Sequence, residues 1–145
     1  MKRVDNAINY FNNGYNCAQA VLASFGAEFD MNKELAFKVA AAFGGGIARC
    51  GRTCGAVTGA LMVIGLKYGM TKIGDNESKN KTYSIANEFI NEFEGNHSSI
   101  ICKDLIGFDM SDKKEREQAF NREVFNRICP KLVKNAVEIL EKILI

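Results

Sequence analysis

The spacing of apolar residues is the feature that most constrains how this chain can fold. Val4, Ile8 and Phe11 recur three or four residues apart, and Val133 and Val137 repeat the spacing near the end of the chain. This spacing puts apolar side chains on one face of an α-helix. No stretch of any length shows the strict alternation that is typical of a half-buried strand. We therefore predict an all-α fold.

Capping residues and glycines divide this pattern into separate helices. Asn16 and Asn32 are good N-caps, and Pro130 suits the start of a last helix, where the N–H that proline lacks has no partner. The predicted helices are a first one ending at 12–14, then 17–25, 33–43, 55–69, 77–94, a short piece at 100–106, 111–128, and a last one from 130. We predict a single domain over residues 1–145, an all-α bundle of about six or seven helices.

Composition narrows the class of protein. The chain has 145 residues, of which 47% are hydrophobic, enough for one domain with a real core. A net charge of +2 gives no reason to expect nucleic acid or an anionic membrane as partner. The longest uncharged apolar run covers residues 55–66, short of the roughly 20 residues that span a bilayer. We predict a cytoplasmic protein that is not embedded in a membrane.

The chain has five cysteines, which is more than packing requires. An odd number would leave one thiol unpaired in an oxidising compartment, and in a reducing one structural disulfides are rare. Reactive thiols and metal ligands are therefore the functional interpretations. The alternative for any one of them is a small buried hydrophobic residue.

Most of the cysteines fall at predicted helix starts. Cys17 and Cys54 open their helices, Cys129 precedes Pro130, and Cys102 lies near the start of a short segment. A helix N-terminus carries a partial positive charge, which stabilises a thiolate and lowers the pKa of the thiol. We expect these cysteines to ionise more readily than free cysteine.

The segment 44–59, GGGIARCGRTCGAVTG, combines glycines, thiols and positive charge. Arg49 and Arg52 bracket Cys50 and Cys54, and no acidic residue occurs between Glu34 and Asp75. Guanidinium groups near a thiol lower its pKa, so we expect the arginines to favour ionised cysteines here. The alternative is a flexible loop whose arginines are merely solvated.

Five cysteine-containing segments resemble one known family. The motif Cys54-Gly55-Ala56-Val57-Thr58-Gly59 matches CGAxxG of the C_GCAxxG_C_C family of small redox-active proteins. The resemblance extends to GYNCAQAVL, FGGGIARCG, CKDLIGFD and CPKLVKNAV, and so covers nearly the whole chain. It implies four recurrent thiols, which here are Cys17, Cys54, Cys102 and Cys129. Cys50 lies outside those four.

Three functions are consistent with these residues. The first is thiol–disulfide chemistry by a thiol–disulfide oxidoreductase, in which Cys54 attacks and Cys17 or Cys50 resolves the mixed disulfide. The second is a zinc or iron–sulfur site in which Cys17, Cys54, Cys102 and Cys129 are the ligands. The third is an anion bound by the backbone N–H groups of the glycine-rich loop. Thiol–disulfide exchange needs no cofactor, and its partner would be a thiol or a disulfide. A homodimer is also consistent with the sequence.

Overall fold

The computed structural model describes residues 2–144 and consists of helices joined by short loops. The α-helices are α1 (Lys2–Asn12), α2 (Cys17–Gly26), α3 (Lys33–Val39), α4 (Gly55–Tyr68), α5 (Asn76–His97), α6 (Cys102–Ile106), α7 (Lys113–Asn121), α8 (Val124–Arg127) and α9 (Cys129–Ile143). Two 3₁₀ turns lie at Ala27–Phe29 and Ala41–Phe43. The described residues contain no strand, only one isolated bridge between Thr53 and Ile101. The prediction of an all-α fold is confirmed.

The number of helices differs from the prediction of about six or seven. Nine α-helical segments are present in residues 2–144. The predicted helix 111–128 is two helices, because Glu123 has a left-handed backbone (φ 56°) that interrupts it. The predicted helix 33–43 also ends early, at Val39, and continues as a 3₁₀ turn. Glutamate rarely adopts φ above zero, so the sequence carried no sign of the first break.

Local capping explains where the site-bearing helices begin. The side chain of Asn16 accepts from the N–H of Gln19 at 2.8 Å, and the Gln19 side chain accepts from the N–H of Asn16 at 2.9 Å. This reciprocal capping box fixes Cys17 as the first residue of α2. Asn32 caps α3 in a simpler way, by accepting from the N–H of Leu35 at 2.8 Å. Both caps were predicted from the sequence.

Two apolar clusters form the interior, and the site lies between them. The larger cluster is built mainly from α2, α4, α5 and α9, with Leu22, Ile64 and Phe89 among its fully buried side chains. The smaller one contains Cys102, Ile106, Met110, Ala119, Val124 and Cys129. Cys17 packs against both clusters. The division leaves room for a cavity where the two clusters meet.

Within residues 2–144, no helix is both long enough and apolar enough to pass through a bilayer.

Candidate functional site

Four of the five cysteines line one cavity of about 750 Å³, namely Cys17, Cys54, Cys102 and Cys129. Cys17, Cys102 and Cys129 are the first residues of α2, α6 and α9, and Cys54 immediately precedes α4. Cys17, Cys54 and Cys129 are therefore within one residue of the helix starts that the sequence indicated, and Cys102 is within two. Cys50 is exposed and does not line the cavity.

Glycine contacts hold α2 against α4 beside the cavity. A Cβ on Gly55 would lie 2.9 Å from the backbone N of Ala18 and 3.1 Å from the Cβ of Cys17. A Cβ on Gly59 would lie 2.8 Å from the carbonyl oxygen of Ala18. Real Cβ atoms do not approach backbone so closely, so both positions require glycine for this packing. The glycine face of α4 thus brings the start of α2 next to Cys54.

The backbone bridge between Thr53 and Ile101 connects the other two chain segments of the cavity. The N–H of Cys54 donates to the carbonyl of Ile100 at 2.7 Å, and the N–H of Cys102 donates to the carbonyl of Arg52 at 2.6 Å. These bonds flank the bridge on both sides. They fix the starts of α4 and α6 relative to each other, although the two thiols are far apart in the chain.

The loop before Cys54 contains a left-handed turn, which we define as residues 45–49. All five residues have φ between 51° and 72°, including Ile47, Ala48 and Arg49. Such values are strained for residues with a side chain, and especially for β-branched isoleucine. Gly46 is additionally confined, because a Cβ there would lie 2.7 Å from the Cβ of Cys102. The sequence predicted the turning glycines but not the three strained residues that follow them.

The backbone N–H groups of this loop are occupied by its own carbonyls. Every N–H from residue 47 to residue 52 donates within the segment 42–52, for example that of Ala48 to Ala42 at 2.8 Å and that of Arg49 to Gly44 at 2.9 Å. They are not available to a ligand. The hypothesis that these N–H groups bind an anion is therefore wrong for this part of the loop.

Cys17 and Cys129, which we call the first thiol pair, influence each other's ionisation across the cavity wall. Hydrogen bonding from the Cys17 thiol lowers the pKa of Cys129, although burial acts in the opposite direction. The pKa of Cys17 is raised well above its ordinary value by this hydrogen bond, by burial and by the charges of the neighbouring cysteines. Within the pair, Cys129 is therefore the more acidic thiol and Cys17 the less acidic one.

Cys54 and Cys102, the second thiol pair, have raised pKa values. Burial raises the pKa of Cys54 to about 11, and the N–H groups of Ala56 and Val57 lower it only in part. Burial, with the charges of Cys54 and Cys129, raises the pKa of Cys102 to about 12. The expectation that a helix start lowers the pKa of Cys54 is not met, because loss of solvent outweighs the helix N–H groups.

The two arginines of the loop differ in position. Arg49 lines the cavity, whereas Arg52 does not. Neither guanidinium is among the causes that shift the pKa of the cavity thiols, which are burial, other cysteines and backbone N–H groups. Both side chains are exposed, so water screens their charge from the buried thiols. The expectation that the arginines help to ionise the cysteines is therefore wrong.

A zinc site in a protein needs at least three side-chain ligands that converge on one point. Within residues 2–144, no three side chains of cysteine, histidine, aspartate or glutamate converge in a way that could hold a metal ion. The zinc or iron–sulfur alternative therefore has no ligand group in the described part of the chain, even though Cys17, Cys54, Cys102 and Cys129 share a wall.

Several residues of the cavity wall were not identified from the sequence as parts of a site. Most of them are apolar and two are asparagines: Phe11, Asn12, Leu105, Met110, Phe125, Asn126 and Leu132. The apolar ones follow helical spacing, but spacing alone does not distinguish a cavity wall from a filled core. No motif or spacing in the sequence indicates that Asn126 belongs to a site.

Comparison with known proteins adds one match. A family model described as "Putative redox-active protein (C_GCAxxG_C_C)" matches residues 15–143. The matched range contains all five cysteines and every helix from α2 to α9. A search of curated proteins and a search of solved structures each found no match.

Proposed function

The chain belongs to the C_GCAxxG_C_C family, and from that premise we propose that it carries out thiol–disulfide exchange with Cys129 as the attacking thiol and Cys17 as the resolving thiol. The strongest support is that both thiols line one cavity, where the interaction with Cys17 lowers the pKa of Cys129. A thiolate, not a thiol, attacks a disulfide, so the most readily ionised cysteine is the favoured nucleophile.

The exchange keeps atoms and electrons in balance. The Cys129 thiolate attacks one sulfur of a substrate disulfide, a mixed disulfide forms, and the other substrate sulfur leaves and takes up a proton. The Cys17 thiol then loses its proton and attacks the Cys129 sulfur, which expels the second substrate thiol. One substrate disulfide is reduced to two thiols while two protein thiols are oxidised to one disulfide.

Cys129 replaces Cys54, the nucleophile expected from the sequence, for a physical reason. Cys54 is 3% exposed, and its pKa of about 11 leaves little thiolate at neutral pH. Cys129 is also buried, but its neighbour donates to the thiolate, and this donation outweighs the burial. Hydrogen bonds to a charged group are stronger than those to a neutral one.

We propose the cytoplasm as the compartment and a thiol or disulfide compound as the partner. All five cysteines are free thiols, and free thiols persist in reducing compartments. A reducing compartment would also return the oxidised pair to its dithiol form for another turnover.

Reaction of the reduced protein with bis(2-hydroxyethyl) disulfide, a small neutral disulfide, tests the proposal. The protein carries Cys50→Ser, which removes the exposed thiol that would react independently. We expect peptide mapping to find a disulfide between Cys17 and Cys129. When Cys17→Ser is added, no resolving thiol remains, and a mixed disulfide should persist on Cys129. The matched control, Cys102→Ser, should still form the Cys17–Cys129 disulfide.

Two outcomes would contradict the proposal. A mixed disulfide that accumulates on Cys54, with Cys129 unmodified, would reject Cys129 as the attacking thiol. Reduced protein that forms no disulfide between cavity cysteines at any excess of reagent would reject exchange as the function.

A further inference from the structure

Arg49 is the one charged side chain on the wall of the large cavity described in residues 2–144. The rest of that wall consists of apolar side chains, glycines, asparagines, Tyr15 and the four thiols, without aspartate or glutamate. Apart from the Cys129 thiolate that the proposed exchange requires, this wall carries one positive charge and no carboxylate, which favours an anionic ligand beside Arg49.

The Arg49 guanidinium has no ion pair and no side-chain hydrogen bond with any residue between 2 and 144. Other arginines are engaged: Arg3 pairs with Glu28 at 2.6 Å, and Arg116 donates to the carbonyl of Met110 at 2.9 Å. Arg49 is exposed, so it lies where the cavity opens to solvent. Its donors are available to a ligand that enters.

The backbone holds Arg49 in a strained conformation. Its φ is 62°, its N–H donates to the carbonyl of Gly44 at 2.9 Å, and a Cβ on Gly45 would lie 2.9 Å from its Cα. Left-handed residues other than glycine persist only where the surrounding structure fixes them, and they cluster at ligand sites. The left-handed turn therefore presents the arginine from a defined position.

The dimensions of the cavity restrict the size of a substrate. A volume of about 750 Å³ falls within the range of small-molecule sites. Cys129 and Cys102 are each 8% exposed. A disulfide on the surface of a folded protein cannot reach thiols so deeply buried, whereas a small disulfide can enter.

The geometry points to a small disulfide that carries a carboxylate as the substrate class, with Arg49 binding the carboxylate at the cavity opening. This inference rests on the proposed exchange function. The guanidinium presents two parallel donors that match the two oxygens of a carboxylate. The reaction is the exchange already described: one carboxylate-bearing disulfide is reduced to two carboxylate-bearing thiols, and Cys17 and Cys129 become a disulfide.

Three disulfides with the same two-carbon arms separate charge from size. They are 3,3′-dithiodipropionate (anionic), bis(2-hydroxyethyl) disulfide (neutral) and cystamine (cationic). The measured quantity is the second-order rate constant for formation of the Cys17–Cys129 disulfide in the Cys50→Ser protein, followed by quenched mass analysis. Each rate is divided by that of the same protein with Arg49→Gln, because this ratio cancels the intrinsic reactivity of each disulfide.

We expect the ratio of the rate with Arg49 to the rate with Arg49→Gln to be about 5 or more for the anionic disulfide. It should be about 1 for the neutral disulfide and below 1 for cystamine. Arg49→Lys should keep part of the preference, because it retains the charge without the paired donors. Arg52→Gln is the matched control: it removes an equal charge from the same loop but outside the cavity wall, and its rates should stay within about twofold of the unmodified protein.

The outcomes distinguish the two proposals. If all three disulfides oxidise the first thiol pair and the ratio is equal for all of them, the substrate class is wrong and the exchange function stands. An equal loss of the anionic preference in Arg52→Gln would also reject a specific role for Arg49. If no disulfide oxidises the pair, the exchange function fails and the substrate class fails with it.

Discussion

The two thiol pairs of the cavity occupy similar positions at helix starts, but the pKa values of their thiols are shifted differently. In the first pair, Cys17 donates to Cys129 and lowers its pKa. In the second pair, burial raises the pKa of Cys54 to about 11 and that of Cys102 to about 12. All four lie at helix starts on one cavity wall. A helix start therefore does not by itself lower the pKa of a buried thiol, whereas a neighbouring donor can outweigh the burial.

The two pairs are also supported differently. The first pair is brought together by helices, because α2 packs on the glycine face of α4 and both helices pack against α9. The second pair is held by backbone hydrogen bonds on either side of the Thr53–Ile101 bridge. Substitutions can therefore disturb one support and spare the other.

The largest expected effect concerns the second pair at high pH. Below about pH 9 its thiols are protonated in the folded and the unfolded chain. Above that pH the unfolded chain releases these protons and the folded chain keeps them until its pKa values of about 11 and 12 are reached. The free energy of unfolding should fall as the pH rises from 9 to 11, on the order of 2 kcal/mol for Cys54 alone.

Urea denaturation at pH 8 to 11 measures this dependence. Cys54→Ser serves as the comparison, because tyrosine and lysine titrate equally in both proteins and their effect cancels in the difference. The variant should lose less stability per pH unit than the unmodified chain. If the stability of both proteins depends on pH in the same way, burial does not raise the pKa of Cys54. The difference in pKa between the two pairs would then be contradicted.

Substitution of Gly59 tests the helix contact behind the first pair. The new Cβ in Gly59→Ala would lie 2.8 Å from the carbonyl oxygen of Ala18. We expect the free energy of unfolding to fall by about 1–3 kcal/mol, because overpacking forces α2 away from α4. Gly65→Ala is the control on the same helix: nothing lies within 4 Å of its Cβ, and it should gain about 0.5–1 kcal/mol from better helix propensity. Equal effects of the two substitutions would contradict the close contact.

Removal of the donor tests the chemistry of the first pair. Cys17→Ala takes away the hydrogen bond that lowers the pKa of Cys129, whereas Cys17→Ser keeps a hydroxyl donor of similar size. The alkylation rate of Cys129 at pH 7, followed by peptide mass analysis with iodoacetamide, should be several-fold lower in the alanine variant and largely retained in the serine variant. If both variants alkylate at the unmodified rate, Cys17 is not the donor.

The smallest effect is expected at Cys50. Its thiol is exposed and lies outside the cavity wall. Cys50→Ala should change the free energy of unfolding by less than about 0.5 kcal/mol and leave the alkylation rate of Cys129 unaltered. A change in that rate would show that Cys50 affects the reactivity of the first pair and would contradict its exclusion from the site.

Local features of the site were predictable from the sequence. Asn16 indicates the start of α2, and the glycines at 55 and 59 indicate a helix face that another backbone can approach closely. These features depend on neighbouring residues, so short segments suffice to identify them. They were enough to find the helix starts and the family resemblance.

Features that depend on distant residues were not predictable. The donation from Cys17 to Cys129 joins opposite ends of the chain, and burial of Cys54 depends on every helix around it. Arg49 and Arg52 look alike in the sequence, yet only Arg49 lines the cavity, because the left-handed turn directs the chain there. Backbone propensities do not predict a left-handed conformation for three consecutive residues other than glycine.

The hydrogen bond within the first pair also governs how its midpoint potential responds to acidity. While both thiols are protonated, oxidation releases two protons with two electrons, and the potential falls by about 59 mV per pH unit. Once one thiol is ionised, only one proton accompanies the two electrons, and the fall is about 30 mV per pH unit. Because one pKa is lowered and the other raised, this shallow range is broad. Across this range the reducing strength of the pair should accordingly change with pH only about half as steeply as that of a pair with both thiols protonated.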